Sequence, residues 1–188
     1  MKKIIITSFL FFICSSVFAG STELSRQATA FYSDNNPTKT MDLILQINEK
    51  ERTSQDWLLL GNVLADKGEA ENALYMYQKA LEKDKKCYKA YYNIGNYYMD
   101  KGQFDKAIEN YKKAISIKED NPYIYYNLGC AYMKLNNYKS AKTNFIKAIT
   151  IKPAIPEFNY NLAFVYKKLG NNKLAETYMN NYNKLINN

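Results

Sequence analysis

The nine residues IYYNLGCAY at 124–132 recur, altered but recognisable, every 34 positions. AYYNIGNYY lies 34 residues before them (90–98), DWLLLGNVL 34 before that (56–64), and FNYNLAFVY 34 after (158–166). A fixed period of this length marks one supersecondary unit used several times. No single copy can bury its apolar face alone, so the copies must stack. The second half of each unit repeats as well, in ENALYMYQKAL (71–81), DKAIENYKKAI (105–115) and KSAKTNFIKAI (139–149). In that register Ala73, Ala107, Ala141 and Ala175 align, then Tyr77, Tyr111, Phe145 and Met179, then Ala80, Ala114 and Ala148.

Each unit reads as two antiparallel helices, because apolar residues fall at i, i+3, i+4 and i+7. Trp57, Leu60, Gly61 and Leu64 form one such stripe; Tyr91, Ile94, Gly95 and Tyr98 repeat it, as do Tyr125, Leu128, Gly129 and Tyr132. A glycine inside a helix costs about 1 kcal/mol against alanine. Burial of large side chains at about 1.5–3 kcal/mol each outweighs that cost. The glycine therefore reads as a packing residue, expected to let the second helix approach at its own alanine. Gly68, Gly102, Asn136 and Gly170 share a register that suits a left-handed residue ending each first helix. Pro122 and Pro156 sit where a first helical position is expected.

The aromatic, Leu-Gly, Tyr, Ala, aromatic, Ala spacing resembles the tetratricopeptide repeat over about residues 54–187. The resemblance implies an all-α α-solenoid of antiparallel helix pairs, wound as a right-handed superhelix with the first helix of each pair facing a concave groove. Repeats are then expected at 54–87, 88–121, 122–155 and 156–188. The family's terminal proline is present at Pro153, but Lys85 and Glu119 replace it earlier, where looser or continuous junctions are expected. Asn159 and Ala163 depart from the pattern in the fourth unit, and its polar second helix, about 172–186, reads as a cap. Residues 20–53 read as a degenerate pair or N-terminal cap, with helices near 22–32 and 38–50 parted by SDNNP and docked through Met41, Ile44 and Leu45.

Composition narrows the function. The chain carries 26 Lys+Arg against 18 Asp+Glu and no histidine. Ser-His-Asp and Cys-His nucleophile pairs and His-ligated zinc are thereby excluded, and general acid–base work would fall to a tuned carboxylate or lysine. No enzyme activity, cofactor or metal is expected. Lys2 and Lys3, the apolar run Ile4–Ile13, and the small or short residues Val17 and Ala19 read as a secretory signal (residues 1–19) cut before Gly20; an uncleaved membrane anchor is the alternative. Phe11, Phe12 and Ile13 before Cys14 do not make a lipobox. The expected location is the periplasm or the exterior. Scattered lysines read as a solvated surface, without a nucleic-acid partner. Cys87 and Cys130 are expected as free thiols, too far apart to bridge.

Four offsets should face the groove that the resemblance implies. The fifth holds Leu58, Tyr92, Tyr126 and Tyr160; the sixth, Leu59, Asn93, Asn127 and Asn161; the ninth, Asn62, Asn96, Cys130 and Phe164; the thirteenth, Asp66, Asp100, Lys134 and Lys168. Primary amides carry donor and acceptor, so Asn93, Asn127 and Asn161 can pair with a peptide backbone whatever its side chains. This resembles the asparagine ladder of O-linked N-acetylglucosamine transferases. Tyr92, Tyr126 and Tyr160 would add flat contact area, and Asn62 and Asn96 complete the expected site. The charges run from Asp66 and Asp100 to Lys134, Lys167 and Lys168, which favours one peptide direction. The cations of a carboxylate clamp are missing at Leu58, Asn62, Asn93, Tyr123 and Asn127. The function expected is capture of an extended segment of a protein partner. Envelope polysaccharide stacked on the groove tyrosines, or self-assembly, are the alternatives.

Overall fold

The computed structural model describes residues 20–187; the leader read at 1–19 and Asn188 lie outside the described residues. The described residues are all-α, with helices and no strand. They fall into two compact units, divided between Lys85 and Lys86. In the first lie α1 (20–33), α2 (Pro37–Gln46), α3 (Ser54–Asp66) and α4 (Ala70–Lys83). In the second lie α5 (Tyr88–Asp100), α6 (Phe104–Ile117), α7 (Pro122–Lys134), α8 (Tyr138–Ile151), α9 (Pro156–Lys168) and α10 (Asn172–Ile186). First helices thus begin at Ser54, Tyr88, Pro122 and Pro156, one period apart.

Local chemistry fixes the turns. Gly68, Gly102 and Gly170 have φ of +79°, +70° and +78°, and Asn136 has +56°. Each lets the chain fold back so that the next residue's N–H reaches a carbonyl five positions earlier: Glu69 to Leu64, Gln103 to Tyr98, Asn137 to Tyr132 and Asn171 to Tyr166. Asn35, at +56°, ends α1 the same way, with Asn36 N–H on Phe31. It stands one residue out of the 34-residue register, which is why the sequence hides this pair. The junctions after the second helices are also alike. Asp84, Lys118 and Lys152 are extended and donate to Ala80, Ala114 and Ala148. Within the second unit, Glu119 therefore does not loosen its junction, contrary to the expectation from the missing proline. The backbone hydrogen bond and extended cap close the turn without it.

The mid-helix glycines are packing residues, but their neighbour differs from the one expected. A Cβ on Gly95 would lie 2.5 Å from a Tyr111 ring carbon, and one on Gly129 would lie 2.7 Å from Phe145. Gly61 meets Tyr77 in the same way. The aromatic ring, not the alanine, occupies the space of the missing Cβ. The alanines are buried in their own right, with Ala73, Ala107, Ala114, Ala141 and Ala148 all inside the core.

In the first unit, α2 has ten residues where α4 has fourteen. Arg52 Nε donates to the carbonyls of Ile44 and Ile47, closing the short helix, and its guanidinium lies over Trp57 at 4.9 Å. Ile44 is buried as expected, but Leu45 is 55% exposed and Ile47 is buried in its stead. Thr40, Ile44 and Ile47 fall at i, i+4 and i+7 and so share the buried face, whereas Leu45 lies off it. α1 is tied to α3 by Ser25 Oγ donating to Asp56 Oδ2 at 2.9 Å, and Tyr32 pairs with Asn62. In the second unit, α10 has no fully buried residue, consistent with a terminal helix packed on one side.

Candidate binding face on the first helices of the second unit

The first helices α5, α7 and α9 are joined along one face by side-chain hydrogen bonds. Asn127 Nδ2 on α7 donates to Tyr92 Oη at 3.1 Å and to Asn96 Oδ1 at 2.9 Å, both on α5. One repeat later, Asn161 Nδ2 on α9 donates to Tyr126 Oη at 2.8 Å and reaches Cys130 Sγ at 3.7 Å, both on α7. The sixth-offset asparagine therefore clasps the fifth- and ninth-offset side chains of the preceding repeat.

The sequence treats these amides as unengaged donors and acceptors, and that expectation needs correction. Both protons of each amide are directed into the protein, because Tyr92, Asn96, Tyr126 and Cys130 lie within reach one repeat back. The carbonyl oxygens of Asn127 and Asn161 accept no hydrogen bond among the described residues and are not buried. What remains for a ligand is a pair of fixed acceptors. Asn93 holds the equivalent position on α5, half-buried.

Ninth-offset asparagines serve the second helices. Tyr111 Oη donates to Asn96 Oδ1 at 2.7 Å, and in the first unit Tyr77 Oη donates to Asn62 Oδ1 at 3.1 Å. Where the second helix carries Phe145 and no hydroxyl, the ninth offset is Cys130; where it carries Met179, it is Phe164. Asparagine appears only where a phenol needs an acceptor. Burial pushes the Tyr111 and Tyr126 phenols well above the usual range and the Cys130 thiol up to about 11. All three stay protonated at neutral pH. Cys130 and Cys87 are free thiols.

Exposure grows along the face. Tyr92 and Tyr126 are half-buried, and Tyr126 stacks on Phe158 with ring centres 4.8 Å apart. Tyr160 is 48% exposed, lies against Tyr182 of α10 at 5.3 Å, and has Phe164, 40% exposed, one turn on. The α10 partner is absent from the sequence reading, although Tyr178 and Tyr182 stand four apart and so share a helix face. In the first unit, the expected groove residues Leu58 and Leu59 are only 2% exposed. These apolar side chains belong to the core there and offer nothing to a ligand. Asn62 is engaged by Tyr77 and Tyr32. The eight residues Asn62, Asn93, Asn96, Asn127, Asn161, Tyr92, Tyr126 and Tyr160 thus do not form one open row. Asn96, Asn127 and Tyr92 make one knot, Asn161 and Tyr126 another, and Tyr160 stands open.

Another concavity, of about 420 Å³, lies in the first unit between Met41, Leu45, Trp57, Leu60, Tyr75 and Met76. No group of side chains able to hold a metal ion occurs among the described residues. None of their helices is long and apolar enough to cross a membrane.

Comparison with known proteins agrees with the repeat fold. A family model described as TPR repeat matches residues 61–102 and 95–136, and one described as tetratricopeptide repeat matches 122–155 and 156–188. No curated protein matches the chain. Among solved structures, MamA AMB-1 superposes with a TM-score of 0.75 at 17% identity, covering 89% of this chain and 92% of that one. MamA 41-end from Desulfovibrio magneticus RS-1 gives 0.77 at 16% identity, covering 89% and 96%. The RS-1 MamA double mutant gives 0.78 at 16%, covering 89% and 95%. At these identities the likeness is one of fold.

Proposed function

The chain belongs to the tetratricopeptide-repeat family, a family of protein-interaction scaffolds, and on that premise we propose that it holds an extended segment of a partner protein along the α5–α7–α9 face, without catalysing a reaction. One observation carries this reading: Asn127 and Asn161 are pinned by their amide protons, so their carbonyl oxygens are fixed acceptors one repeat apart. An extended peptide brings backbone N–H donors, and groups already held in place lose little freedom on binding it. Tyr126 and Tyr160 supply amphipathic contact area beside them. Lys2, Lys3 and the apolar run that follows support action outside the cytoplasm.

An array of immobilised twelve-residue peptides, probed with the purified chain, tests the reading. Peptides that bind should lose at least about tenfold in affinity with Tyr160→Ala, a loss of about 1.4 kcal/mol. Binding that ignores Tyr160→Ala and Asn161→Ala, yet falls with Ile146→Ala on α8, would move the site to the second helices and refute it.

A further inference from the structure

Charge is divided unequally along the chain. Residues 20–85 hold eight Lys+Arg and eleven Asp+Glu, whereas residues 86–188 hold sixteen lysines and seven carboxylates. The imbalance sharpens in 122–188, where nine lysines face only Glu157 and Glu176.

On the candidate face the imbalance has a position. Each first helix of the second unit ends at its thirteenth residue: Asp100 on α5, Lys134 on α7 and Lys168 on α9. Lysine at a helix C-terminus is favourable by itself, because it meets the negative end of the helix dipole. Yet α5 ends on Asp100 with no cation in its last turn. α5 places its lysine one residue later, at the cap position Lys101, so the dipole does not require the cation at the thirteenth position itself. Lys134 acts on Cys130, one turn back on the same face, and Lys168 lies 5.4 Å from the centre of the Phe164 ring. Tyr160, Phe164 and Lys168 fall at i, i+4 and i+8, one ridge of α9 with two exposed aromatics leading to a cation. Glu157 acts on Tyr126 and stands at the N-terminal end of α9, away from Lys168.

We propose that the segment held on this face is acidic and carries an apolar or aromatic anchor: the anchor packs on Tyr160 and Phe164, and its carboxylates meet Lys134 and Lys168. The proposal rests on the binding-face reading above and names the chemistry of its partner. Charge complementarity selects the occupant. Complementary charge raises association rate and specificity more than affinity, and the aromatic ridge supplies the apolar area that a run of carboxylates alone lacks. A phospholipid surface fits less well. Its headgroup phosphates bring acceptors to a face where Asn127 and Asn161 also present acceptors, whereas a peptide brings backbone donors.

Fluorescence anisotropy with the full chain and three labelled twelve-residue peptides tests this. One is rich in Glu and Asp around a central Phe, one has Gln and Asn in their place, and one has Lys. The acidic peptide should bind at least about tenfold tighter than the Gln/Asn peptide at low salt, and the advantage should shrink as screening shortens the reach of charge. Lys134→Glu with Lys168→Glu should erase the preference. Lys139→Glu with Lys147→Glu, an equal charge change on α8, should leave most of it. Replacing the peptide's Phe by Ala, or Phe164 by Ala, should weaken binding about tenfold.

Equal affinity for acidic and neutral peptides overturns the proposal, and so does equal loss with either lysine pair. If the neutral peptide binds and depends on Tyr160, the binding-face reading survives while acid preference falls. If no peptide binds, both fall. Phosphatidylserine vesicles that bind more tightly than the acidic peptide, with sensitivity to Lys134→Glu and Lys168→Glu, would give the face to lipid and overturn the peptide.

Discussion

Two neighbouring helix pairs of the second unit, α5/α6 and α7/α8, share one backbone plan and differ in the chemistry at its centre. In the first, Asn96 accepts from Tyr111, and Gly95 lies under the Tyr111 ring. In the second, Cys130 stands beside Phe145, which covers Gly129. Polar pair and apolar pair occupy equivalent sites in the same fold. The comparison teaches that a recurring asparagine can be set by a buried hydroxyl next to it. It also separates two asparagine roles along the face: Asn96 serves the core, whereas Asn127 and Asn161 tie one repeat to the next.

The largest effect is expected from breaking the polar pair on one side. Asn96→Leu strands both the Tyr111 hydroxyl and an Asn127 proton, and each stranded buried donor costs about 1–3 kcal/mol. Urea denaturation should show a loss of several kcal/mol, with a large part restored by Tyr111→Phe, which copies the α7/α8 solution. An Asn96→Leu variant as stable as the parent would show that the pair carries no weight.

Next in size is the glycine. Gly95→Ala gains about 1 kcal/mol of helix propensity but puts a methyl group against the Tyr111 ring, and overpacking typically costs about 1–3 kcal/mol. Thermal melts should show net destabilisation, slightly smaller for Gly129→Ala because Phe145 stands farther from that position. Stabilisation at either glycine would mean that the ring moves aside freely.

A smaller difference should separate the two ties between repeats. Asn127→Ala removes hydrogen bonds to Tyr92 and Asn96, whereas Asn161→Ala removes one to Tyr126 and a long contact to sulfur. A net hydrogen bond is worth about 0.5–1.5 kcal/mol, so Asn127→Ala should cost more by roughly that amount. Equal losses in chemical denaturation would erase the distinction.

The smallest effect belongs to the thiol that stands where Asn96 stands one repeat earlier. Burial pushes Cys130 up to about 11, above the value of about 8.5 for a free thiol in the unfolded chain. The unfolded state then releases its proton first as pH rises. Stability from the neutral thiol is full below about pH 8.5 and is lost between there and about pH 11. Cys130→Ala should flatten that stretch of the stability–pH curve. Alkylation at pH 8 should also leave Cys130 slower than free cysteine.

The helical fold was legible because glycine, alanine and aromatic positions return at one interval, and helix starts at Tyr88, Pro122 and Pro156 follow it. The first pair of helices was harder to read. Asn35 sits one residue off the period, and the buried stripe of α2 runs through Thr40, Ile44 and Ile47, so Ile47 and not Leu45 docks the helix. Side-chain partners were the least legible. Periodicity places Gly95 on the inner side of its helix but does not say whether Ala107 or the Tyr111 ring fills the gap. Nor does it reveal that Asn127 points its protons backwards, because that depends on residues 31 and 35 positions away.

The most direct measurement is site-specific photo-crosslinking with the acidic Phe-containing peptide. A benzoylphenylalanine would replace Tyr160 on α9 in one sample and Ile146, exposed on α8, in another. Adducts at 160, suppressed by excess unlabelled peptide, with little at 146, are predicted. Adducts at 146 equal to or above those at 160 would contradict a binding face built from the first helices.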